Sequence, residues 1–251
     1  MVENKVKSVK KTFEIVRTIQ ELNGASLTEL SREMGIPQST AHNYLKSLEE
    51  SHYLVNEDGT YHVGIRFLEH GAYARDRRNI YDTARPEVNK LATETGELAN
   101  LLVEEHGRGS YLLRARGVDA VQVEAHIGTR VYLHSTALGK AILAHMPEDR
   151  REEILDRHGL PERTARTTTD RDQLREDLAE IRDRGYAYDD EERLEGLRCV
   201  AAAVQSNSGR VLGAVSVSGP TNRLRGERFR QELPSKLLEV VNVIELNITH
   251  S

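Results

Sequence analysis

Residues 26–64 read SLTELSREMGIPQSTAHNYLKSLEESHYLVNEDGTYHVG and contain two short apolar patterns with helical spacing. The apolar positions are Leu27, Leu30 and Met34 in the first pattern, then Ala41, Tyr44, Leu45 and Leu48 in the second. Gly35 and Pro37 lie between the two patterns. Glycine ends helices readily, and proline suits the first turn of a helix because the amides there have no intrahelical partner. The stretch therefore predicts two short helices that meet at a sharp corner.

Two local signals surround this pair of helices. Ser26 and Glu29 have the spacing of a capping box, in which each side chain accepts a hydrogen bond from the other residue's backbone amide. After the second helix, Asp58-Gly59 lies between residues 53–55 and 61–63, and this dipeptide tolerates the positive φ angles of a two-residue hairpin turn. Helix, turn, helix and hairpin together predict a winged helix-turn-helix, whose second helix lies in the major groove of DNA.

The second helix carries a polar face that ends in a cation. Its members are Gln38, Ser39, Thr40, His42, Asn43 and Lys46. We expect Ser39, Thr40, His42 and Asn43 to approach base edges. Gln38 and Lys46 are expected to lie near phosphates. The alternative is the solvated face of a small helical subdomain. The agreement of cap, corner, polar face and wing favours DNA binding.

Composition limits the class of protein. With 251 residues the chain is long enough for two modest domains. No run of about 18 apolar residues occurs and the N-terminus is charged, so we expect a cytoplasmic protein without a membrane segment. The single cysteine, Cys199, excludes an internal disulfide and a multi-thiolate zinc site. We expect no metal and no cofactor.

The charge balance is unusual for a DNA-binding protein. The net charge is -5, and residues 1–70 contain eight Lys and Arg against ten Asp and Glu. DNA-binding domains usually present a basic surface. Phosphate contacts must therefore depend on local clusters, of which the main lysines are Lys5, Lys7, Lys10, Lys11 and Lys46.

The rest of the chain predicts one further helix before this stretch and an α+β domain after it. A first amphipathic helix carries Phe13, Val16, Ile19 and Leu22 on its apolar side. Later helices are expected to end at Gly96 and to cover residues 137–145, 148–157, 170–184 and 225–246. Strands are expected over residues 98–104, 110–115, 121–126, 198–205 and 211–218. The mixed order suggests a largely antiparallel sheet. The expected domains are residues 1–69, a linker helix over 70–85, and residues 86–251.

Five stretches, taken in order, resemble one family. They are LTELSREMGIPQSTAHNYLKSLEESHYL, TGELANLLV, LHSTALGKAILA, RGYAYDDEERLEGLRCVAAAV and GAVSVSGPTNRL, and together they resemble the IclR family of bacterial and archaeal transcription regulators. The resemblance implies a winged helix-turn-helix, a linker helix and a C-terminal GAF-like effector domain. It also implies a homodimer or homotetramer without catalytic activity. A dimer would bind double-stranded operator DNA at an inverted repeat.

The resemblance also implies an effector site for a small organic acid. It aligns Ala137, Leu138, Asp189, Cys199, Ser216 and Ser218 with residues that contact such acids in related regulators. A helix capped by Ser135 or Thr136 would direct free amides at a carboxylate. The two later serines alternate along a strand, so they share one face, which is either a pocket floor or a solvent-exposed surface. Apolar neighbours that could set selectivity are Leu112, Leu133 and Leu138.

Two other functions and one other kind of site are considered. In a small-molecule hydrolase, Cys199 would be the nucleophile, with Asp189, His134 or His126 as partner. A lone cysteine on an apolar strand is more often a small buried residue. A metal site on the acids at positions 189–192 is disfavoured, because the histidines of the chain are scattered. Four consecutive acids cannot all point one way, so we expect most of them to be solvated. The remaining function is an RNA-binding winged-helix protein.

Overall fold

The structure is a computed structural model that describes residues 6–249. Its contacts divide the chain into two compact units, the first ending at Ala74 and the second beginning at Arg75. The first unit contains α1 (Lys7–Glu21), β1 (Ala25–Ser26), α2 (Leu27–Met34), α3 (Gln38–Glu50), β2 (Leu54–Glu57), β3 (Thr60–Val63) and most of α4 (Phe67–Asp76). Its three strands pair antiparallel in the order β1-β3-β2.

The local signals of the first unit are present in the structure. Ser26 Oγ accepts from the Glu29 amide at 3.3 Å, and Glu29 Oε2 accepts from the Ser26 amide at 2.9 Å, which completes the capping box. Gly35 ends α2 in the left-handed conformation with φ 60°. Asp58 and Gly59 have φ angles of 51° and 88°, as a hairpin turn of the expected type requires. These backbone signals predict the winged helix-turn-helix correctly.

The predicted apolar side of α1 is partly wrong. Phe13 is 58% exposed and Leu22 is 42% exposed, whereas Ile19 is buried as expected and Ile15, which was not predicted, is buried with it in the core of this unit. Both sets of positions have helical spacing, so the sequence alone does not decide between them. The packing of α1 against α2 and β3 selects the face that carries Ile15 and Ile19.

The second unit is built on one six-stranded antiparallel sheet with strand order β6-β5-β4-β9-β8-β7. Its strands are β4 (Leu98–Glu105), β5 (Arg108–Arg116), β6 (Arg130–Tyr132), β7 (Ala187–Asp190), β8 (Leu197–Gln205) and β9 (Val211–Pro220). Its helices are α5 (Asn79–Thr95), α6 (Ala137–His145), α7 (Glu148–His158), α8 (Arg171–Arg184) and α9 (Leu233–Thr249), with a π-helical turn at Arg228–Glu232.

The two faces of this sheet bury different helices. Because side chains alternate along a strand, Leu101, Val200 and Val215 pack with α5 and α9. Leu102, Ala201 and Ala214 lie on the opposite face, against a cluster that includes residues of α6 and α8. We call this second side, defined by Leu102, Ala201 and Ala214, the α6 face.

One predicted strand is absent from the second unit, and two of its strands were not predicted. Residues 121–126 form no strand, whereas the unpredicted β6, Arg130–Tyr132, pairs with Arg108 to Ser110 of β5. Residues 187–190 were not predicted as a strand, yet they pair with β8 from Ala187 opposite Ala201 to Asp190 opposite Arg198. In both places, pairing with another strand decides whether a segment forms a strand. The local sequence pattern does not indicate whether such a partner is present.

The predicted linker range, residues 70–85, is divided between two helices. It includes the end of α4 and the start of α5, and α5 continues through Pro86 to Thr95. The division between the two compact units, after Ala74, falls inside this range. The domain bounds at residues 69 and 85 stay a prediction.

Candidate functional site

The polar face of α3 is available for contacts outside the chain. Gln38, Ser39, His42, Asn43 and Lys46 are exposed and Thr40 is half-buried, whereas Ala41, Leu45 and Leu48 are buried on the opposite side. Within residues 6–249, the side chains of Gln38, Ser39, Thr40, His42 and Asn43 have no hydrogen-bond partner. Their donors and acceptors are therefore free to bind a base or a phosphate.

The lysines expected to contact phosphate are partly neutralised within the chain. Lys10 and Lys11 lie 3.6 and 3.3 Å from the Glu14 carboxylate, and Lys46 lies 3.9 Å from Glu50 in an exposed pair. Exposed pairs of this kind are weak and are easily exchanged for another anion. The expected contact at Lys5 lies outside the described residues.

A buried polar cluster occupies the α6 face of the second unit. Ser216 and Ser218 on β9 are buried, and the Asn100 amide on β4 donates to their hydroxyls at 3.2 and 3.4 Å. The Ser218 hydroxyl donates to the Cys199 sulfur on β8 at 3.1 Å. The two serines therefore share a buried side of the sheet, and the solvent-exposed alternative is wrong.

The start of α6 lies beside the apolar part of this face. Thr136 caps the helix by accepting from the Gly139 amide at 3.0 Å, which leaves the amides of Ala137 and Leu138 without an intrahelical acceptor. Ala137, Leu138 and Leu133 are buried in the cluster that packs on the α6 face. Free amides at a buried helix N-terminus suit an anion.

Leu112 does not belong with these apolar neighbours, because it packs against the opposite face, in the cluster of α5 and α9. The pairing of β4 with β5 shifts between Leu101 and Leu102, so that Leu112 is an extra residue on β5. Such a bulge changes which residues point to each side. Tyr111 thereby joins the α6 face in place of Leu112.

The four consecutive acids are not mainly solvated, contrary to the prediction. Asp189 and Glu192 are buried, Asp190 is bound by Arg198 Nε at 2.6 Å, and Glu191 has a positive φ of 66° that turns the chain. Pairing of β7 with β8 and the turn after it direct successive side chains to different partners. Within residues 6–249, no group of three or more His, Cys, Asp or Glu could hold a metal ion.

Asp189 is a buried carboxyl with altered acidity. Its Oδ1 accepts from the backbone amides of Glu192 and Arg193 at 2.8 and 3.3 Å. Burial, with the nearby Glu192 carboxylate, raises the pKa of Asp189 to about 7. Glu192 forms a buried ion pair with Lys140 of α6 at 2.5 Å, and burial also raises the pKa of Glu192. Asp189 therefore suits hydrogen bonding to a ligand hydroxyl in either protonation state.

Cys199 is unsuited to nucleophilic attack. Burial, followed by the Asp189 charge, raises the pKa of its thiol to about 12. A reactive cysteine needs the thiolate and an adjacent base. The His134 ring is directed at the Pro161 carbonyl at 3.1 Å, and His126 is exposed. Asp189 does lie opposite Cys199 on the paired strand, but a buried thiol with a raised pKa, with no histidine of residues 6–249 hydrogen-bonded to it, does not support the hydrolase alternative.

Four residues of the α6 face were not identified from the sequence. They are Asn100, Tyr111, Arg114 and Arg193. Arg114 Nε donates to Asn100 Oδ1 at 3.4 Å, and Arg193 donates to the Tyr111 hydroxyl at 2.6 Å. Asn100 had one local signal, a polar amide inside the otherwise apolar run LANLLV. The other three residues had no local sequence signal, because only the bulge in β5 and the turn after β7 direct them to this face.

The architecture defines a class of protein. A winged helix-turn-helix with a free polar face, in a chain with a second α+β unit that holds a buried polar cluster, is a DNA-binding regulator with a separate effector-binding domain. No helix within residues 6–249 is long and apolar enough to cross a membrane.

Comparison with known proteins agrees with this class over both units. Residues 8–58 match the IclR helix-turn-helix domain, and residues 72–246 match the family described as bacterial transcriptional regulator IclR C-terminal. The probable HTH-type transcriptional regulator ArcR of Halobacterium salinarum is 36% identical over 248 residues, covering 97% of this chain and 94% of the relative.

Solved structures give the same result. The crystal structure of the Thermotoga maritima IclR has a TM-score of 0.81 and 30% identity, covering 97% of this chain and 99% of that chain. An IclR homologue of Microbacterium hydrocarbonoxydans in complex with 4-hydroxybenzoate has a TM-score of 0.78 and 25% identity, covering 91% of this chain and 92% of that chain. The chain belongs to the IclR family of transcription regulators and is not an enzyme, which confirms the predicted fold class and the resemblance.

Proposed function

We propose that this regulator binds an inverted-repeat operator as a homodimer or homotetramer and that a small organic acid controls its response. The polar face of α3 would enter the major groove, with Ser39, Thr40, His42 and Asn43 at base edges and Gln38 and Lys46 at phosphates. Residues 1–69 would bind DNA, residues 70–85 would form the linker and residues 86–251 would bind the effector. A regulator that binds chromosomal operators acts in the cytoplasm.

The effector site is proposed on the α6 face. Ser216 and Ser218 would donate to a carboxylate, together with the free amides of Ala137 and Leu138. Asp189 would bind a hydroxyl or hydrated carbonyl of the acid, and Cys199 would provide a small soft wall. The observation that carries this proposal is the buried cluster of Asn100 with the two serines, since a face that only filled a core would be apolar.

The relative in complex with 4-hydroxybenzoate supports an organic acid as the class of effector. Small keto acids, sugar acids and aromatic acids all present a carboxylate to such donors. Apolar neighbours such as Leu133 and Leu138 would then distinguish acids by shape.

One experiment tests operator and effector together. The full-length protein is mapped on genomic DNA, and the strongest sites are footprinted with and without each member of a panel of small acids. We expect protection of a short inverted repeat, changed by one class of acid. Protection of single sites without symmetry would contradict the dimeric operator, and binding to structured RNA without duplex DNA would favour the RNA-binding alternative.

A further inference from the structure

Two arginines reach the α6 face from different elements. Arg114 lies on β5, and its Nε donates to Asn100 Oδ1 at 3.4 Å. The amide nitrogen of the same Asn100 donates to Ser216 and Ser218. Arg114 is therefore one side chain away from the hydroxyls proposed to bind the effector.

Arg193 approaches from the turn after β7. Its guanidinium donates to the Tyr111 hydroxyl at 2.6 Å, and its central carbon lies 5.5 Å from the centre of the Tyr111 ring. The central carbon of Arg114 lies 5.8 Å from the same ring centre. Two guanidinium groups thus lie near one buried tyrosine of the α6 face, and each belongs to a half-buried residue.

Neither arginine is paired with a carboxylate of residues 6–249, although other arginines and a lysine of this unit are paired. Arg198 binds Asp190 at 2.6 Å, Arg223 binds Glu97 at 2.7 Å and Lys140 binds Glu192 at 2.5 Å. The nearby Asp189 uses its Oδ1 for the backbone amides of Glu192 and Arg193 instead. Each of these half-buried guanidinium groups has five N–H donors, and the neutral partners of Arg114 and Arg193 leave their charge available to an anionic ligand.

Resting on the effector site proposed above, we propose that Arg114 and Arg193 are specificity residues that select an effector with two anionic groups, a small dicarboxylic acid. One carboxylate would bind the serine hydroxyls and the amides at the start of α6. The other would lie between the two guanidinium groups, whose forked donors match the two oxygens of a carboxylate. A monocarboxylate would leave the arginine pair unneutralised and would bind more weakly.

The test measures binding to the full-length protein by titration calorimetry. The probes are the dicarboxylates from malonate to adipate and terephthalate, each compared with the monocarboxylate of matching shape, such as butyrate for succinate and 4-methylbenzoate for terephthalate. We expect at least one dicarboxylate to bind the wild type more tightly than its partner. A charge-assisted hydrogen bond corresponds to roughly 10- to 100-fold in affinity, so Arg193→Gln and Arg114→Gln should each weaken that dicarboxylate by this factor and the monocarboxylate much less.

Two further variants separate specificity from structure. Arg157→Gln removes a charge from the exposed surface of α7 and should change neither affinity. Tyr111→Phe removes the hydroxyl bound by Arg193 while both cations stay, and the dicarboxylate preference should persist. If either arginine variant fails to fold, its Arg→Lys form keeps the charge without the fork and should reduce the preference without abolishing it.

Different failures overturn different claims. A preference for dicarboxylates that survives both arginine substitutions, or a wild type without that preference, would overturn the role of the arginines. After either of these results, the Ser216→Ala, Ser218→Ala double variant tests the pocket by itself. If that variant no longer binds a monocarboxylate that the wild type binds, the proposed effector pocket is retained and only the role of the arginines is rejected. If no acid binds the wild type, the proposed pocket falls as well.

Discussion

Ser218 lies directly opposite Cys199 on the neighbouring strand, and its hydroxyl donates to the thiol sulfur at 3.1 Å. The same hydroxyl accepts from the Asn100 amide, so polar side chains connect three adjacent strands across the α6 face. Buried hydroxyls in such a network already have partners within the chain. A ligand that takes the Ser218 proton must therefore offer a better acceptor than the Cys199 sulfur, which a carboxylate does.

The first prediction concerns these hydroxyls. Ser216→Ala combined with Ser218→Ala should abolish the response to an acid that stabilises the wild type, while binding to the operator persists. Each hydrogen bond lost to a charged ligand should weaken binding by roughly 1.5 to 3 kcal/mol. The measurement is a thermal-shift screen of small acids, followed by operator binding with and without the acid.

Ser206→Ala with Ser208→Ala makes the same chemical change at the turn between β8 and β9. This control should keep the full response. If the inducing acid stabilises the Ser216 and Ser218 double variant as much as the wild type, the effector binds elsewhere.

The second prediction concerns the reading of DNA. Asn43→Ala should relax sequence preference and cost about 1 to 3 kcal/mol on the cognate operator if Asn43 contacts a base. Lys46→Ala should weaken cognate and scrambled duplexes alike and flatten the dependence of affinity on salt, since a phosphate contact releases counterions. Titrations of both duplexes at several salt concentrations distinguish the two effects. Equal losses on the two duplexes for both variants would refute the assignment.

The third prediction concerns the pH dependence of stability. Burial raises the pKa of Asp189 from 3.8 to about 7, so between these values the carboxyl is ionised in the unfolded chain and protonated in the folded one. The stability conferred by this proton is complete below 3.8 and is lost as pH rises through about 7. Asp189→Asn should remove that part of the slope, which is at most about 1.4 kcal/mol per pH unit.

The slope is obtained from denaturant unfolding of the second unit at several pH values. Glu192, Lys140, Arg193 and Cys199 surround the carboxyl, and the Asp189 charge also affects the pKa of Cys199, so the slopes are compared between about pH 4 and 7, well below the range in which the thiol titrates. Asp172→Asn, at a side chain that is 86% exposed on α8, is the matched change and should leave the slope as it is. If the free energy of unfolding depends on pH in the same way in Asp189→Asn and in the wild type, the prediction is contradicted.

The fourth prediction compares two helical glycines. A Cβ atom at Gly139 in α6 would lie 2.1 Å from the Leu133 carbonyl oxygen and 2.3 Å from the Leu133 Cα, so Gly139→Ala must displace backbone at the start of the helix. We expect a large loss of stability and of acid binding. Gly71→Ala in α4 meets no atom within 4 Å and should stabilise by about 0.5 to 1 kcal/mol, because alanine has the higher helix propensity. Unfolding curves of the two variants give the comparison, and a Gly139→Ala protein as stable as the wild type would contradict the close approach.

Local rules predicted much of the fold. The Ser26 and Glu29 capping box, the Gly35 helix end and the Asp58-Gly59 turn each depend on contacts or dihedral angles within a few residues. The start and end of α6 followed from the same kind of signal. Such features are visible in sequence because the groups that satisfy one another are neighbours in the chain.

Where the partner is distant, the same patterns failed. Phe13 has suitable spacing for the core and is exposed, residues 121–126 alternate without a partner strand, and β7 forms because β8 is beside it. On the α6 face, the alternation of side chains along β9 correctly predicted that Ser216 and Ser218 lie on one side of the sheet. The same rule misplaced Leu112, because a bulge changes the alternation of β5.

By itself, the sequence determined the winged helix-turn-helix, the antiparallel α+β class of the second domain and, through five ordered stretches, the family. Tertiary structure alone decided the chemistry of the buried polar cluster: that Asp189 is buried beside Glu192, that Cys199 accepts from Ser218, and that Arg114 and Arg193 both lie near Tyr111 without a carboxylate partner among residues 6–249. Backbone signals act between near neighbours, whereas buried hydrogen bonds, pKa values and charge pairing depend on groups from distant positions, such as Asn100 and Ser218, which are 118 residues apart.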